Sequence, residues 1–147
     1  MILIGLGSNL GEREKNLTTA KRLMIKNMGA VIVGESPLEE TKAILPPGSP
    51  PSWDLFYLNQ VIAMLCTTAP LPLLKHLKHI ERTMGRLPSK KWAPRIIDLD
   101  ILWYHGITYS DPELVIPHPQ MVNRPFITQA IQALNPKILD KIGAHHL

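Results

Sequence analysis

With a single cysteine in 147 residues, the chain has no internal disulfide framework. That cysteine, Cys66, lies inside the apolar run VIAMLC, where a buried thiol in a reducing cytoplasm is the expectation. No stretch approaches the roughly 20 apolar residues of a membrane span, so no membrane association is expected. The opening segment MILIGLGSNLGE has no basic region ahead of its apolar residues, which argues against a secretory signal. Neither an internal repeat nor a linker-like stretch divides the chain, and residues 1–147 are expected to form a single domain. Two phosphate-binding signatures are also missing. There is no G-K-[ST] of a Walker A loop, and Leu10 occupies the third glycine position of a dinucleotide fingerprint in GLGSNLGE. A tight turn of small residues packed closely is the simplest reading of that segment.

What is present is an uneven positive charge. The net charge is +4 and the isoelectric point about 9.3, which favours an anionic partner. Lys75, Lys78, Arg82, Arg86, Lys90, Lys91 and Arg95 fall in one stretch that holds a single acid, Glu81. Pro46, Pro47, Pro50 and Pro51, four of the fourteen prolines, fall in one loop.

Hydrophobic periodicity gives the element order. MILIGLG, AVIVGES, YLNQVIAMLC and RIIDLDILWY read as strands. Residues 12–28 read as a helix with Leu17, Ala20, Leu23, Met24 and Met28 near one face and Gly29 as its stop. PLPLLKHLKHIERTMG is a second helix, with a core stripe of Leu73, Leu77, Ile80 and Met84, and NRPFITQAIQALNP a third before a polar tail. Strand, helix, strand, strand, helix, strand predicts an α+β fold: a ferredoxin-like βαββαβ core, an antiparallel sheet with helices on one face and long catalytic loops. Residues 37–56 form a loop longer than the usual limit of about 12–15 residues, and residues 86–95 form a basic loop that carries Trp92. Long loops in compact domains usually bind or cover something, and both would flank the fourth strand.

That strand holds the main anomaly. Asp98 and Asp100 alternate with apolar residues and therefore point the same way. Two carboxylates side by side on an apolar strand need cations. Arg95 and the nearby lysines are one source, and a half-wet edge strand would make the pair cheap. The other source is a divalent metal. Mg²⁺ typically takes one or two carboxylates together with substrate phosphates, and carboxylates on alternate positions can bridge two ions in phosphoryl transfer. Arg86 and Arg95 bracket a loop beside the acids and suit polyphosphate, and Trp92 offers a face for stacking. His118, between prolines in VIPHPQMVNRPF, is placed to face a cleft or to serve the structure. Tyr57 and Asn59 share a strand face as an aromatic plate beside an amide, which can read a heterocycle edge. His76 and His79 lack a third metal ligand.

GLGSNLGE, FYLNQV, IERTMGR, WAPRIIDLDIL and VIPHPQMVNRPF, in this order and spacing, resemble the 6-hydroxymethyl-7,8-dihydropterin pyrophosphokinases of folate biosynthesis over about residues 2–136. The resemblance implies a ferredoxin-like α/β sandwich that transfers the β,γ-pyrophosphoryl group of ATP to the pterin hydroxymethyl oxygen and releases AMP. It implies two Mg²⁺ on Asp98 and Asp100, and Arg86 and Arg95 stabilising the transferred group. It also implies nucleotide contacts at Glu81, Ile101, His118 and Arg124. Trp92 would close a loop over the site. Tyr57 and Phe126 would sandwich the pterin, with Asn59 and Thr41 reading its polar edge.

The sequence departs from that pattern in four places. Glu39 stands where an aromatic precedes Thr41, and the loop KAILPPGSPPSWDL is longer and richer in proline. Pro88 replaces a second loop arginine, leaving Lys90 or Lys91 as a less directional charge, and Glu113 replaces a nucleotide-contacting arginine. Two other classes compete with this reading. A basic ferredoxin-like RNA module would want exposed aromatics on its sheet and gives no reason for the aspartates, so no nucleic-acid partner is expected. Another two-metal phosphoryl enzyme would not need Tyr57 beside Asn59. Fusion to the next folate-pathway enzyme is compatible with the chain.

Overall fold

A computed structural model describes residues 1–134; residues 135–136 of the expected last helix and the polar tail lie outside the described residues. The order is β1 (Ile2–Ser8), α1 (Arg13–Met28), β2 (Val31–Glu35), β3 (Glu39–Thr41), β4 (Tyr57–Leu65), α2 (Pro70–Thr83), β5 (Asp98–Tyr104), β6 (Tyr109–Ser110), β7 (Val115–Ile116) and α3 (Pro125–Leu134). The main sheet runs β2-β4-β1-β5, antiparallel throughout, and β3 pairs with β4 beyond the end of β2. This is the ferredoxin-like core, with β3 and the β6–β7 hairpin added to it. Among the described residues no helix is long and apolar enough to cross a membrane.

The first core lies between the sheet and two helices. Ile2, Ile4 and Leu6 of β1, Ile62 and Met64 of β4, and Leu99 and Ile101 of β5 point to one face. Leu17, Ala20 and Met24 of α1 and Leu73, Leu77 and Ile80 of α2 meet them there, all essentially inaccessible to water. Cutting any of these leucines to alanine would cost about 2–5 kcal/mol, a transfer loss plus a cavity. α1 stops where Gly29 takes φ 63° and its N–H reaches the Ile25 carbonyl at 3.1 Å. α2 starts on prolines whose fixed φ suits a first turn that has no helical partner for its N–H groups.

The expectation of helices on one face holds for α1 and α2 only. Ile127 and Ile131 of α3 pack on the opposite face against Leu3, Val61, Ala63, Leu102 and Trp103. The reason is in β5. Its register with β1 shifts between Leu3 and Ile4, so Leu102 and Trp103 both turn to this side and need a cover. α3 covers this end of the face and leaves the other end, at Gly7 and Asp98, to the functional residues.

Two other expectations are corrected. The fourth strand begins at Asp98, and Arg95, Ile96 and Ile97 lead into it. The stretch 37–56 is not one loop: it contains β3 and a 3-10 turn at Pro51–Trp53. Glu39 and Glu40 have little intrinsic strand preference; pairing with the β4 edge imposes it. Arg13 ties the two ends of the remaining loop, donating to the Phe56 carbonyl at 3.0 Å and to Glu40 at 2.5 Å.

Candidate active site

Gly7 of β1 stands in register between Asn59 of β4 and Asp98 of β5. A Cβ on Gly7 would lie 3.4 Å from Asn59 Oδ1 and 3.5 Å from Tyr57 Cδ1. The missing side chain thus lets the amide and phenol of one strand lie close over β1, across from the aspartates of the other. Gly5 instead admits Leu102, whose Cδ1 would be 3.4 Å from a Cβ there. Both glycines lie inside β1, as the strand reading of MILIGLG has it, and the tight turn read for GLGSNLGE begins only after them. The turn is made later, at Gly11, where φ is 76°.

Asp98 is held by two guanidinium groups. Its Oδ1 accepts from Arg86 Nη1 at 2.9 Å and Arg95 Nη1 at 3.2 Å. Arg86 Nη1 also reaches Glu81 Oε2 at 2.6 Å, and the same oxygen accepts the Leu99 N–H at 2.9 Å. Among the described residues β5 pairs with β1 alone, so its outer edge carries backbone groups without a strand partner, and Glu81 satisfies one of them. Burial raises the Glu81 pKa, while the Leu99 N–H and Arg86 oppose that rise. The glutamate is therefore a strut between the strand edge and Arg86. Ile101, two residues on, presents its backbone on the same side as Leu99.

Asp100 has a different environment. Burial above all, then Asp98 and Glu81, push its carboxyl up to about 7, while Arg124 and Arg95 pull it down. It accepts none of the guanidinium hydrogen bonds that hold Asp98. Arg95 Nε is buried and, among the described residues, has no hydrogen-bond partner.

His118 follows the cis Ile116–Pro117 bond and is anchored by its N–H on the Leu102 carbonyl at 2.9 Å. Burial first, then Arg124, lower its pKa, so the ring is neutral at neutral pH. Nδ1 accepts the Gln120 N–H at 3.1 Å, which places the proton on Nε2. Asn59 Nδ2 donates to the Glu39 carbonyl at 3.1 Å and to Thr41 Oγ1 at 2.8 Å. This fixes the amide so that Oδ1 is the end beside Gly7. Burial, then Asp98, raise the Tyr57 pKa against Arg95, Arg86 and Arg124, so the phenol stays protonated.

These side chains line two compartments. A cleft of about 380 Å³ runs along the outer edge of β5, with Glu81, Arg86, Arg95, Asp98, Asp100, Ile101 and His118 in its lining. A smaller cavity beside β3 is lined by Asn59 and Phe126. The sequence-predicted residues are brought together with one exception. Trp92 sits on its loop with φ 76°, is 40% exposed, and packs under Lys91, whose Nζ is 5.0 Å from the ring centroid.

The cleft has a wall of which the sequence reading picked out Glu113 alone as a nucleotide-contacting position. Leu74 and Lys78 of α2 and Asp111–Val115 of the β6–β7 hairpin complete its lining. The hairpin is closed by Asp111 Oδ1, which accepts the Glu113 and Leu114 N–H groups at 2.7 and 2.8 Å. A signal was available: Asp-Pro between YS and VI is a turn flanked by strand formers.

The ferredoxin-like sheet thus holds Asp98 beneath two guanidinium groups, with Asp100 beside it, at an open cleft. Comparison with known proteins identifies the family. The family profile described as 7,8-dihydro-6-hydroxymethylpterin-pyrophosphokinase (HPPK) matches residues 3–136, and the chain belongs to this family. It is 32% identical to a 2-amino-4-hydroxy-6-hydroxymethyldihydropteridine pyrophosphokinase of Methylorubrum extorquens, covering 92% of this chain and 83% of that one. It is 38% identical to a folate synthesis bifunctional protein of Chlamydia caviae, over 99% of this chain and 33% of the relative. The chain thus spans about a third of the length of such bifunctional relatives. A crystal structure of an HPPK-DHPS in complex with substrates superposes with a TM-score of 0.66 at 17% identity, over 92% of this chain and 40% of that one, which shows the shared fold.

Proposed function

We propose that the chain transfers pyrophosphate from ATP to 6-hydroxymethyl-7,8-dihydropterin, giving AMP and the pterin diphosphate in folate biosynthesis. The observation that carries this reading is the placement of Asp98 and Asp100 in the lining of the edge cleft, with Tyr57 and Asn59 across Gly7 from Asp98. The hydroxymethyl oxygen attacks the β-phosphorus and gives up its proton to water, the bond from that phosphorus to the α–β bridging oxygen breaks, and AMP leaves with this oxygen.

The aspartates fit magnesium. Both are hard oxygen donors, the Asp100 carboxyl is destabilised in its ionised form, and a cation would relieve this. Among the described residues no three His, Cys, Asp or Glu side chains gather as a metal cage, so phosphate oxygens and water would complete each shell. When bound, two Mg²⁺ ions supply charge neutralisation along the phosphates and at the attacking hydroxyl.

Other residues position and neutralise. Arg86, preorganised by Glu81, and Arg95, with its free Nε, face the charge that develops on the transferred group. His118 donates from Nε2, and Ile101 and Arg124 take further nucleotide contacts. Tyr57 and Phe126 sandwich the pterin, Asn59 Oδ1 accepts from its ring N–H groups, and Thr41 fixes the amide. Trp92 comes over the site when its loop closes. The same reading treats residues 1–147 as one domain that works in the cytoplasm, alone or fused to the next enzyme of the pathway.

Asp98→Asn and Asp100→Asn test the assignment. Each is expected to abolish pterin-dependent AMP release while circular dichroism and melting stay cooperative. Full activity in either folded variant would overturn the role of that carboxylate.

A further inference from the structure

Asn9 lies just past the end of β1 and is 4% exposed, yet the reaction outlined above gives it no task. It is bonded twice to a residue 86 positions away. Its N–H donates to the Arg95 carbonyl at 3.1 Å, and its side-chain Oδ1 accepts the Arg95 N–H at 2.7 Å. The β1–β5 ladder stops at the Gly7–Asp98 pair. Beyond it the Asn9 amide oxygen stands where a strand carbonyl would stand and closes one more rung.

Arg95 needs that rung. It precedes β5 and follows a basic loop that includes the exposed Leu87, Lys90, Lys91 and Trp92. Both polar groups of its backbone are taken by Asn9. Its side chain then reaches Asp98 Oδ1 at 3.2 Å with Nε unpaired, so a shift of the backbone would carry the guanidinium with it.

We propose that Asn9 is a positioning residue for Arg95, fixing the guanidinium over the Asp98–Asp100 site while the loop before it is free to rearrange. The inference rests on the proposed part of Arg95 in pyrophosphoryl transfer. Shortening the side chain leaves the Arg95 N–H without its acceptor and loosens the last point at which the loop is tied to β1.

The test is a double-mutant cycle with a structural readout beside it. Asn9→Ala is expected to lower kcat roughly 10- to 100-fold, the scale of a catalytic group displaced by about 1 Å. KM for ATP should stay within about threefold, because a group misplaced in the transition state affects turnover first. Asn9→Asp keeps the acceptor oxygen and should recover most of the loss. In an Arg95→Ala background, Asn9→Ala should add almost nothing, since the two act as one unit. Amide hydrogen exchange at Arg95 should speed up in Asn9→Ala and stay slow in Asn9→Asp. If Asn9→Ala is too unstable to assay, Asn9→Ser carries the same test, with a hydroxyl too short to reach the Arg95 N–H. Losses that multiply in the double variant, or a loss of kcat with Arg95 exchange unchanged, would overturn the clamp. If Arg95→Ala lowers turnover and folded Asn9→Ala does not, the clamp alone fails. If Arg95→Ala leaves turnover intact, the role of Arg95 fails and the clamp with it.

Discussion

Asn59 and Asp98 face each other across Gly7, each being its register partner from a neighbouring strand. An amide and a carboxylate are thereby held on either side of a residue with no side chain. The distance between them is set by the spacing of the sheet.

A side chain at Gly7 should separate binding from folding. A Cβ at Gly7 meets Asn59 and Tyr57 at ordinary contact distance, so Gly7→Ala is expected to fold, whereas Gly7→Val pushes these two side chains off β1. The valine variant should weaken pterin binding by about tenfold or more, since overpacking of this size costs about 1–3 kcal/mol and falls on the two residues proposed to hold the pterin. ATP affinity should change far less. Titration calorimetry with each ligand measures both, and equal losses for the two would contradict the placement of the pterin against Tyr57 and Asn59.

Asp100 predicts a pH-dependent response to magnesium. Its folded-state carboxyl holds a proton up to about pH 7, whereas an unfolded aspartate releases it near pH 4. The unfolded state therefore binds fewer protons between these values, and the contribution of Asp100 to stability falls as pH rises through that window, then levels off. In EDTA, Asp100→Asn should melt above the wild type at pH 8, with the difference shrinking towards pH 4. Millimolar Mg²⁺ at pH 8 should raise the wild-type Tm and leave the variant nearly unmoved. His118, whose lowered pKa acts in the opposite sense, is common to both proteins and cancels in the comparison.

Glu81 is predicted to matter to stability as well as to the site. Glu81→Ala leaves the Leu99 N–H and part of Arg86 without an acceptor in a nearly buried setting. A loss of about 1–3 kcal/mol in urea unfolding is expected, the scale of one buried group left unsatisfied. Glu81→Gln retains an acceptor for the N–H and should lose less. Equal losses would mean that the ionic link to Arg86, not the strand edge, dominates.

The core strands and the first two helices were legible because their apolar residues keep strict periods, as in Leu73, Leu77 and Ile80 or in the run through β4. The aspartates were legible because they break such a period. What was hidden depended on contacts between distant segments. β3 is a strand only because β4 offers it an edge, and α3 lies across the sheet because a bulge turns Leu102 and Trp103 together. Asn9 looks like any polar residue after a strand until Arg95 is seen beside it. Ser36 shows the same device: its N–H donates to the Val61 carbonyl and its hydroxyl oxygen accepts the Val61 N–H, both at 2.9 Å. Gly7 was legible as the end of a strand, but its purpose was not, because a missing side chain carries no periodic signal and that purpose is defined by the neighbours on β4 and β5.

The most direct measurement is the product of ATP consumption. The protein, incubated with ATP, Mg²⁺ and 6-hydroxymethyl-7,8-dihydropterin, is followed by ³¹P NMR with chromatography of the nucleotides. The account predicts AMP in step with a pterin diphosphate, and no nucleotide turnover when the pterin is withheld. ADP as the product, or AMP formed equally well without the pterin, would contradict it.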